Sequence, residues 1–205
     1  GTMADKNAGS HKAVVVDGLS LTGADAGNYV VAATSGITVD IARKSLTASY
    51  TGLNKIYDGP ATAAVSGPSA DILGGDTVTI SGQGIFTTGK NAGTGKSISI
   101  TAAQLGGADG SNYLLTNTTG STSADITPKS ITPSYTGGSR VYDRTANAPV
   151  TSVTSGFVAG DDIGLSQTAT FNAGKNVGNN KAVTVSGIAL TGNDKDNYAL
   201  TATGF

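Results

Sequence analysis

The chain has 205 residues, a formal net charge of -1 and only 13% charged side chains, about half the usual share near 25%. No basic excess is available to displace counterions from nucleic acid, and no polybasic run could hold an anionic membrane, so no nucleic acid partner and no membrane insertion are expected. All fourteen acidic residues are Asp, Cys is absent and Gly numbers 30, which removes thiol chemistry and favours short strands and tight turns over long helices.

In chain order, the leading Gly-Thr-Met of residues 1–3 is expected to be an expression-tag scar, and the chain a fragment cut from a longer protein. No apolar run approaches the roughly 20 residues of a membrane span. From Lys6 the sequence then repeats itself. "KNAGSHKAVVVDGLSLTGADAGNY" begins at Lys6, "KNAGTGKSISITAAQLGGADGSNY" at Lys90 and "KNVGNNKAVTVSGIALTGNDKDNY" at Lys175. "KSLTASYTGLNKIYDG" from Lys44 returns as "KSITPSYTGGSRVYDR" from Lys129. The module is about 85 residues long, too long for one solenoid rung and long enough for a small bead with its own core.

These blocks place the C-terminal half of a module at residues 4–43, a complete module at 44–128, and a module lacking its last strand at 129–205. Within a module, "LTASY", "TVTISG", "SISIT", "NYLLT" and "SADIT" read as strands bounded by Gly, Asn, Asp or Pro, with "AAVSG" a weaker candidate. "DIARKSL" and "DITPKSI" read as joints, with Pro128 and Pro133 stiffening the second. The expected fold class is all-β: small β-rich, β-grasp-like modules in tandem with little or no helix.

"KIYDG" at Lys55–Gly59, the "GKNAGTGK" loop and "LTGADAGNY" together resemble the YDG/MBG (mostly β-grasp) repeat modules of large secreted bacterial adhesins similar to filamentous haemagglutinin. The resemblance covers the chain after residue 3. It implies a cell-surface or secreted array, often exported by two-partner secretion, rather than an enzyme. One departure is "VYDR", with Arg144 where the family pattern has Gly.

The repeats separate structural residues from unique ones. All seven tyrosines are periodic: Tyr29, Tyr113 and Tyr198; Tyr50 and Tyr135; Tyr57 and Tyr142. Phe86 pairs with Phe171, and Phe157 stands where Ile72 stood, so these aromatics are expected to be module core. Tyr113→Ala is accordingly expected to be more damaging than Lys195→Ala. Ten of the thirteen basic residues are periodic too, leaving Arg43, Arg144 and Lys195. In "YDG", Tyr57 should pack inward, Asp58 accept turn N–H groups and Gly59 supply positive φ.

The bends "GADAGN", "GADGSN" and "GNDKDN" raise the question of calcium. The first two offer one carboxylate and one amide, the third adds Asp196, and none follows the spacing of a calcium loop. Each is expected to be a turn that starts a strand, with no metal and no cofactor. A Lys–Asn isopeptide staple between Lys90 or Lys175 and Asn112 or Asn197 stays open, and Asn117-Thr118-Thr119 is a glycosylation sequon absent from the matching "AATSG". His11 is the lone histidine, no Ser/His/Asp set can be assembled, and "GTGKS" lacks the first Gly of a phosphate loop. No catalytic residue is expected.

The expected function is a stalk or spacer that projects a distal binding region. The alternative is a lectin-like or matrix-binding module contacting its ligand through the non-periodic loops Gly67–Leu73 and Thr151–Phe157. Expected partners are neighbouring modules of the same chain, a host or matrix surface, and edge-strand contact with another copy.

Overall fold

The computed structural model describes residues 1–32, 35–153 and 155–205, apart from the side chain of Val153. The protein is all-β: 43% of it is strand, and no helix of seven or more residues occurs among the described residues. The chain divides into two compact units. One contains Gly1–Thr51, Val65–Gln83 and Ile100–Gly120; the other contains Gly52–Ala64, Gly84–Ser99 and Ser121–Phe205.

In the first unit, Thr2–Met3, Gly9–Val15 and Thr38–Ile41 form an antiparallel sheet in that order. The Gly-Thr-Met leader is therefore partly strand, with Thr2 opposite Val15. Lys44–Leu46 pairs in parallel with Tyr113–Leu115. In the second unit, Lys129–Ile131 pairs in parallel with Tyr198–Leu200, in the matching register. Ser134–Gly137 pairs with Val150–Val153, and Gly164–Phe171 with Val183–Thr191. A seven-stranded sheet runs through Thr51–Gly52, Thr62–Ser66, Thr79–Phe86, Gly93–Ile100, Gly120–Thr127 and Lys55–Ile56, with Gln104–Gly106 attached to Thr79–Phe86.

Alternation explains these strands. In Gly120–Thr127, Ala124 and Ile126 are buried while Ser123 and Asp125 point away from the core. Phe86, Ile98 and Ile100 of the neighbouring strands are likewise buried, the pattern a half-buried strand requires. "AAVSG", the weaker candidate, lies in a regular strand, Thr62–Ser66. "LTASY" is less regular than expected. After Leu46 the backbone leaves the ladder, because the Asn117 side chain takes the Ala48 N–H at 2.9 Å and Pro68 takes that of Ser49 at 3.0 Å. The proposed ligand loop Thr151–Phe157 also shrinks: residues 151–153 belong to a strand, and Thr154 lies outside the described residues.

The expectation that every periodic aromatic is core fails at two positions. Tyr57, Phe86, Tyr113 and Tyr198 are buried, but Tyr29 is 69% exposed and Tyr142 half-exposed. Tyr29 follows its bend in extended conformation but joins no strand. The strand that pairs with the Tyr113 and Tyr198 segments begins at Lys44 or Lys129, and residues 1–43 contain no counterpart of it.

Candidate functional site

The three Asp/Asn bends are single turns of 3-10 helix: Ala26–Asn28, Gly110–Asn112 and Lys195–Asn197. Each is closed by the Asn N–H donating to the Asp carbonyl at 3.0 Å. In the second and third copies the turn delivers Tyr113 and Tyr198 into strands. Beyond starting a strand, each of these two turns forms one wall of a socket for the "KN-G" loop of the preceding repeat.

At the first junction, Lys6 Nζ lies 2.6 Å from Asp76 Oδ1 and 3.3 Å from Asp109 Oδ1. Asn112 Oδ1 accepts the Ala8 N–H at 2.9 Å, and its amide donates to Asn7 Oδ1 at 3.1 Å. Tyr113 OH donates to Asp76 Oδ2 at 2.8 Å and accepts the Leu73 N–H at 3.0 Å. The second junction repeats every contact. Lys90 Nζ is 2.6 Å from Asp161 and 3.4 Å from Asp194. Asn197 Oδ1 accepts the Ala92 N–H at 2.8 Å, its amide donates to Asn91 at 3.2 Å, and Tyr198 OH donates to Asp161 at 2.7 Å while accepting the Val158 N–H at 2.9 Å.

The second junction has one further member. Tyr57 OH also donates to Asp161 Oδ2, at 2.7 Å. Its ring packs edge-on against Tyr198 at 5.5 Å, and Lys90 Nζ sits 5.8 Å above it. Phe157 covers the other side of Tyr198 at 5.3 Å. The Asp161 side chain is only 2% exposed. Such a carboxylate is tolerable only when its oxygens are matched by charge and hydrogen bonds, and here an ammonium and two phenols supply them.

These contacts set the ionisation. Burial pushes the Asp161 carboxyl upward, but Lys90, Tyr198 and Tyr57 outweigh it and hold it below its ordinary range. Asp161, hydrogen-bonded to it, and then the neighbouring Tyr57 raise the Lys90 ammonium. Burial, reinforced by Asp161, pushes Tyr198 up to about 12. At the first junction Lys6 and then Tyr113 lower Asp76. The shifts of Asp161, Lys90 and Tyr198 all favour an ionised carboxylate, a charged ammonium and a neutral phenol.

A protein-family model of the YDG domain matches three stretches of the chain, residues 1–36, 42–120 and 127–204. The chain belongs to the YDG domain family. No curated protein and no solved structure matches it. The YDG tripeptide itself lies at the second junction. Tyr57 reaches Asp161, and Gly59, at φ 101°, also lets Val158 approach, since a Cβ there would fall 2.8 Å from Val158 Cγ1. Asp58 departs from expectation: its carboxylate takes Lys55 Nζ at 2.7 Å rather than a turn N–H. In the second YDG copy Asp143 does accept the Thr145 N–H, at 2.8 Å.

The remaining candidates fall into place around this site. Of the residues named for a Lys–Asn staple, Lys90 Nζ and the Asn197 amide both lie 3.4 Å from Asp194 Oδ1, with Lys90 also paired to Asp161 and the Asn197 amide bonded to Ala92 and Asn91. Asn117 of the sequon uses its amide to bond both the N–H and the carbonyl of Ala48 at 2.9 Å. The matching "AATSG" includes Ala33 and Thr34, which lie outside the described residues. Among the described residues no group of three or more His, Cys, Asp or Glu side chains is placed to hold a metal, and no helix is long and apolar enough to cross a membrane. His11 is exposed within the strand Gly9–Val15, at φ 53° where the register with Thr38–Ile41 shifts, its N–H bonded to Asp40. Lys12 and Lys181 fold back onto loop carbonyls of their own repeats.

Asp76 and Asp161 escaped the sequence analysis. Their signal was available, because "GGD" and "AGD" recur at the module period. What hid them is that their lysine partners lie about seventy residues upstream in another repeat, a pairing that periodicity alone cannot reveal.

Proposed function

We propose that this chain is a structural stalk or spacer from a bacterial cell-surface or secreted adhesin, in which each YDG repeat is latched to the next and a distal region does the binding. The observation that carries this reading is the latch itself. The same Lys-Asn loop enters the same Asp-Asp-Asn-Tyr socket of the following repeat at Lys6 and again at Lys90. Each net hydrogen bond contributes about 0.5–1.5 kcal/mol, so several on one short loop favour a fixed junction over a flexible tether. The buried groups at the junction are spent on one another, which suits a mechanical role and a non-enzymatic one.

The motif resemblance to YDG/MBG modules of filamentous-haemagglutinin-like proteins supports the extracellular setting and export by two-partner secretion. Small-angle scattering of the 205-residue chain, with a glycan array alongside, tests the proposal. An elongated particle without specific glycan binding is expected. A compact particle, or specific binding abolished by changes in the 67–73 loop, would overturn it.

A further inference from the structure

The complete repeat opens with residues 44–48, and its returning segment 113–117 runs parallel to them. Three ladder pairs come first, from Lys44 opposite Tyr113 to Leu46 opposite Leu115. Cross-links then continue past the ladder. The Thr116 N–H donates to the Leu46 carbonyl at 2.9 Å, and the Thr47 and Thr116 hydroxyls meet at 3.0 Å. The Asn117 side chain accepts the Ala48 N–H and donates to the Ala48 carbonyl, both at 2.9 Å. Leu46, Ala48, Tyr113 and Leu115 are buried, which shields the bonds between the two segments from water.

The following repeat builds the same pair from residues 129–132 and 198–201. It has three ladder pairs, a Thr201 N–H to Ile131 carbonyl bond of 3.0 Å, and Thr132 and Thr201 hydroxyls 2.9 Å apart. Only the last cross-link differs. Pro133 stands in the place of Ala48, and Ala202 in the place of Asn117. Proline has no N–H to donate, and where that donor is lost the asparagine that would accept it is lost too. The paired change marks Asn117 as an extension of the ladder, not a spare surface amide.

We propose that residues 44–48 and 113–117 form a mechanical clamp that is loaded in shear when the chain is under tension, with Asn117 as its last bond. Force enters this repeat through the joint before Lys44 and leaves through the chain after Asn117, towards the joint at Pro128. It therefore pulls the N-terminal end of one strand against the C-terminal end of its parallel neighbour. Parallel strands pulled in this way must slide along each other, so every cross-link strains at once. Strands drawn apart from one end lose their bonds one after another. Rupture under force follows the barrier to unfolding rather than the equilibrium stability, so a few bonds loaded together make even a small module hard to extend. The clamp would let a spacer keep its length under load; particle shape and glycan binding judge the spacer role, whereas rupture geometry judges the clamp alone.

The chain contains no cysteine, so cysteine pairs introduced into the whole chain give unique handles for single-molecule pulling. Arg43→Cys with Thr118→Cys loads the clamp in shear, and Arg43→Cys with Ser111→Cys opens it from the end where Lys44 faces Tyr113; all three positions are exposed. At one loading rate the shear pair is expected to rupture at roughly twice the force of the opening pair or more. Asn117→Ala should lower the shear force and leave the opening force unchanged, since opening reaches that bond last. If Asn117→Ala does not fold, Thr116→Val, which removes the hydroxyl links to Thr47 and Leu46, should give the same contrast on a smaller scale. Equal rupture forces in the two geometries overturn the proposal. So does a shear force that the substitution leaves unchanged, or lowers no more than the opening force.

Discussion

The two latches share their lysine, asparagine, tyrosine and paired aspartates, yet they are not equally shielded. The Lys6 side chain is 67% exposed against 38% for Lys90, and Asp76 remains more open than Asp161. The difference traces to one side chain. Tyr57 covers the second latch and bonds its carboxylate, whereas the chain upstream of Lys6 contains no YDG tripeptide. Tyr142, the next YDG tyrosine, is half-exposed and has no socket after it in this sequence. The YDG tyrosine is therefore buried where a following repeat meets it, which makes it a junction residue more than a core residue of its own module.

Removing the central carboxylate should break the comparison most sharply. Asp161→Ala leaves an ammonium and two buried phenols without their acceptor, and a loss of about 2–4 kcal/mol in urea unfolding is expected, discounted for the partial exposure of Lys90. Asp76→Ala, at the more open latch, should cost clearly less. Equal losses would mean that the tyrosine cover adds nothing.

Acidity should act on the same group. The pKa of Asp161 is held below its unfolded value, so its contribution is complete above pH about 4 and is lost as pH falls below that. Lys90 and Tyr198 are shifted upward, so their share is complete below pH about 10 and is lost as pH rises beyond it. Stability of the wild type should be flat between these limits. In Asp161→Asn the acid limb should shrink, and an unchanged limb would place acid sensitivity elsewhere.

Much of this was legible in the sequence. The β class and most of the short strands within a module follow from alternation and turn residues. The periodic Lys and Asn of the latch, with Asp109 and Asp194, were visible as repeated positions. Their pairing was not, because repetition reports that a residue serves every module without saying whether it faces its own core or the neighbour. The same blindness made Tyr29 and Tyr142 read as core. Burial at a junction depends on the next repeat, a property of the pair rather than of either sequence.

A finer cut separates the tyrosine hydroxyl from its ring. Tyr57→Phe keeps the packing on Tyr198 but removes the bond to Asp161, so a loss of about 0.5–1.5 kcal/mol is expected. Tyr142→Phe should leave the unfolding midpoint unchanged. A matching loss at both positions would return the YDG tyrosine to a role inside its own module.

The smallest expected effect lies at the third residue of the tripeptide. Gly59 adopts φ 101° and Arg144 φ 70°, so the left-handed turn persists although Arg replaces Gly. An L-residue pays about 1–2 kcal/mol for that conformation, partly offset because Arg restricts the unfolded chain more than Gly does. Arg144→Gly is therefore expected to gain about 0.5–1 kcal/mol. Gly59→Ala should go the other way for two reasons, since it adds the same strain and drives a methyl to 2.8 Å from Val158. Urea midpoints of both variants decide whether backbone strain alone matters here. If Gly59→Ala costs no more than Arg144→Gly gains, the close approach of the following repeat to the YDG turn contributes nothing to the junction.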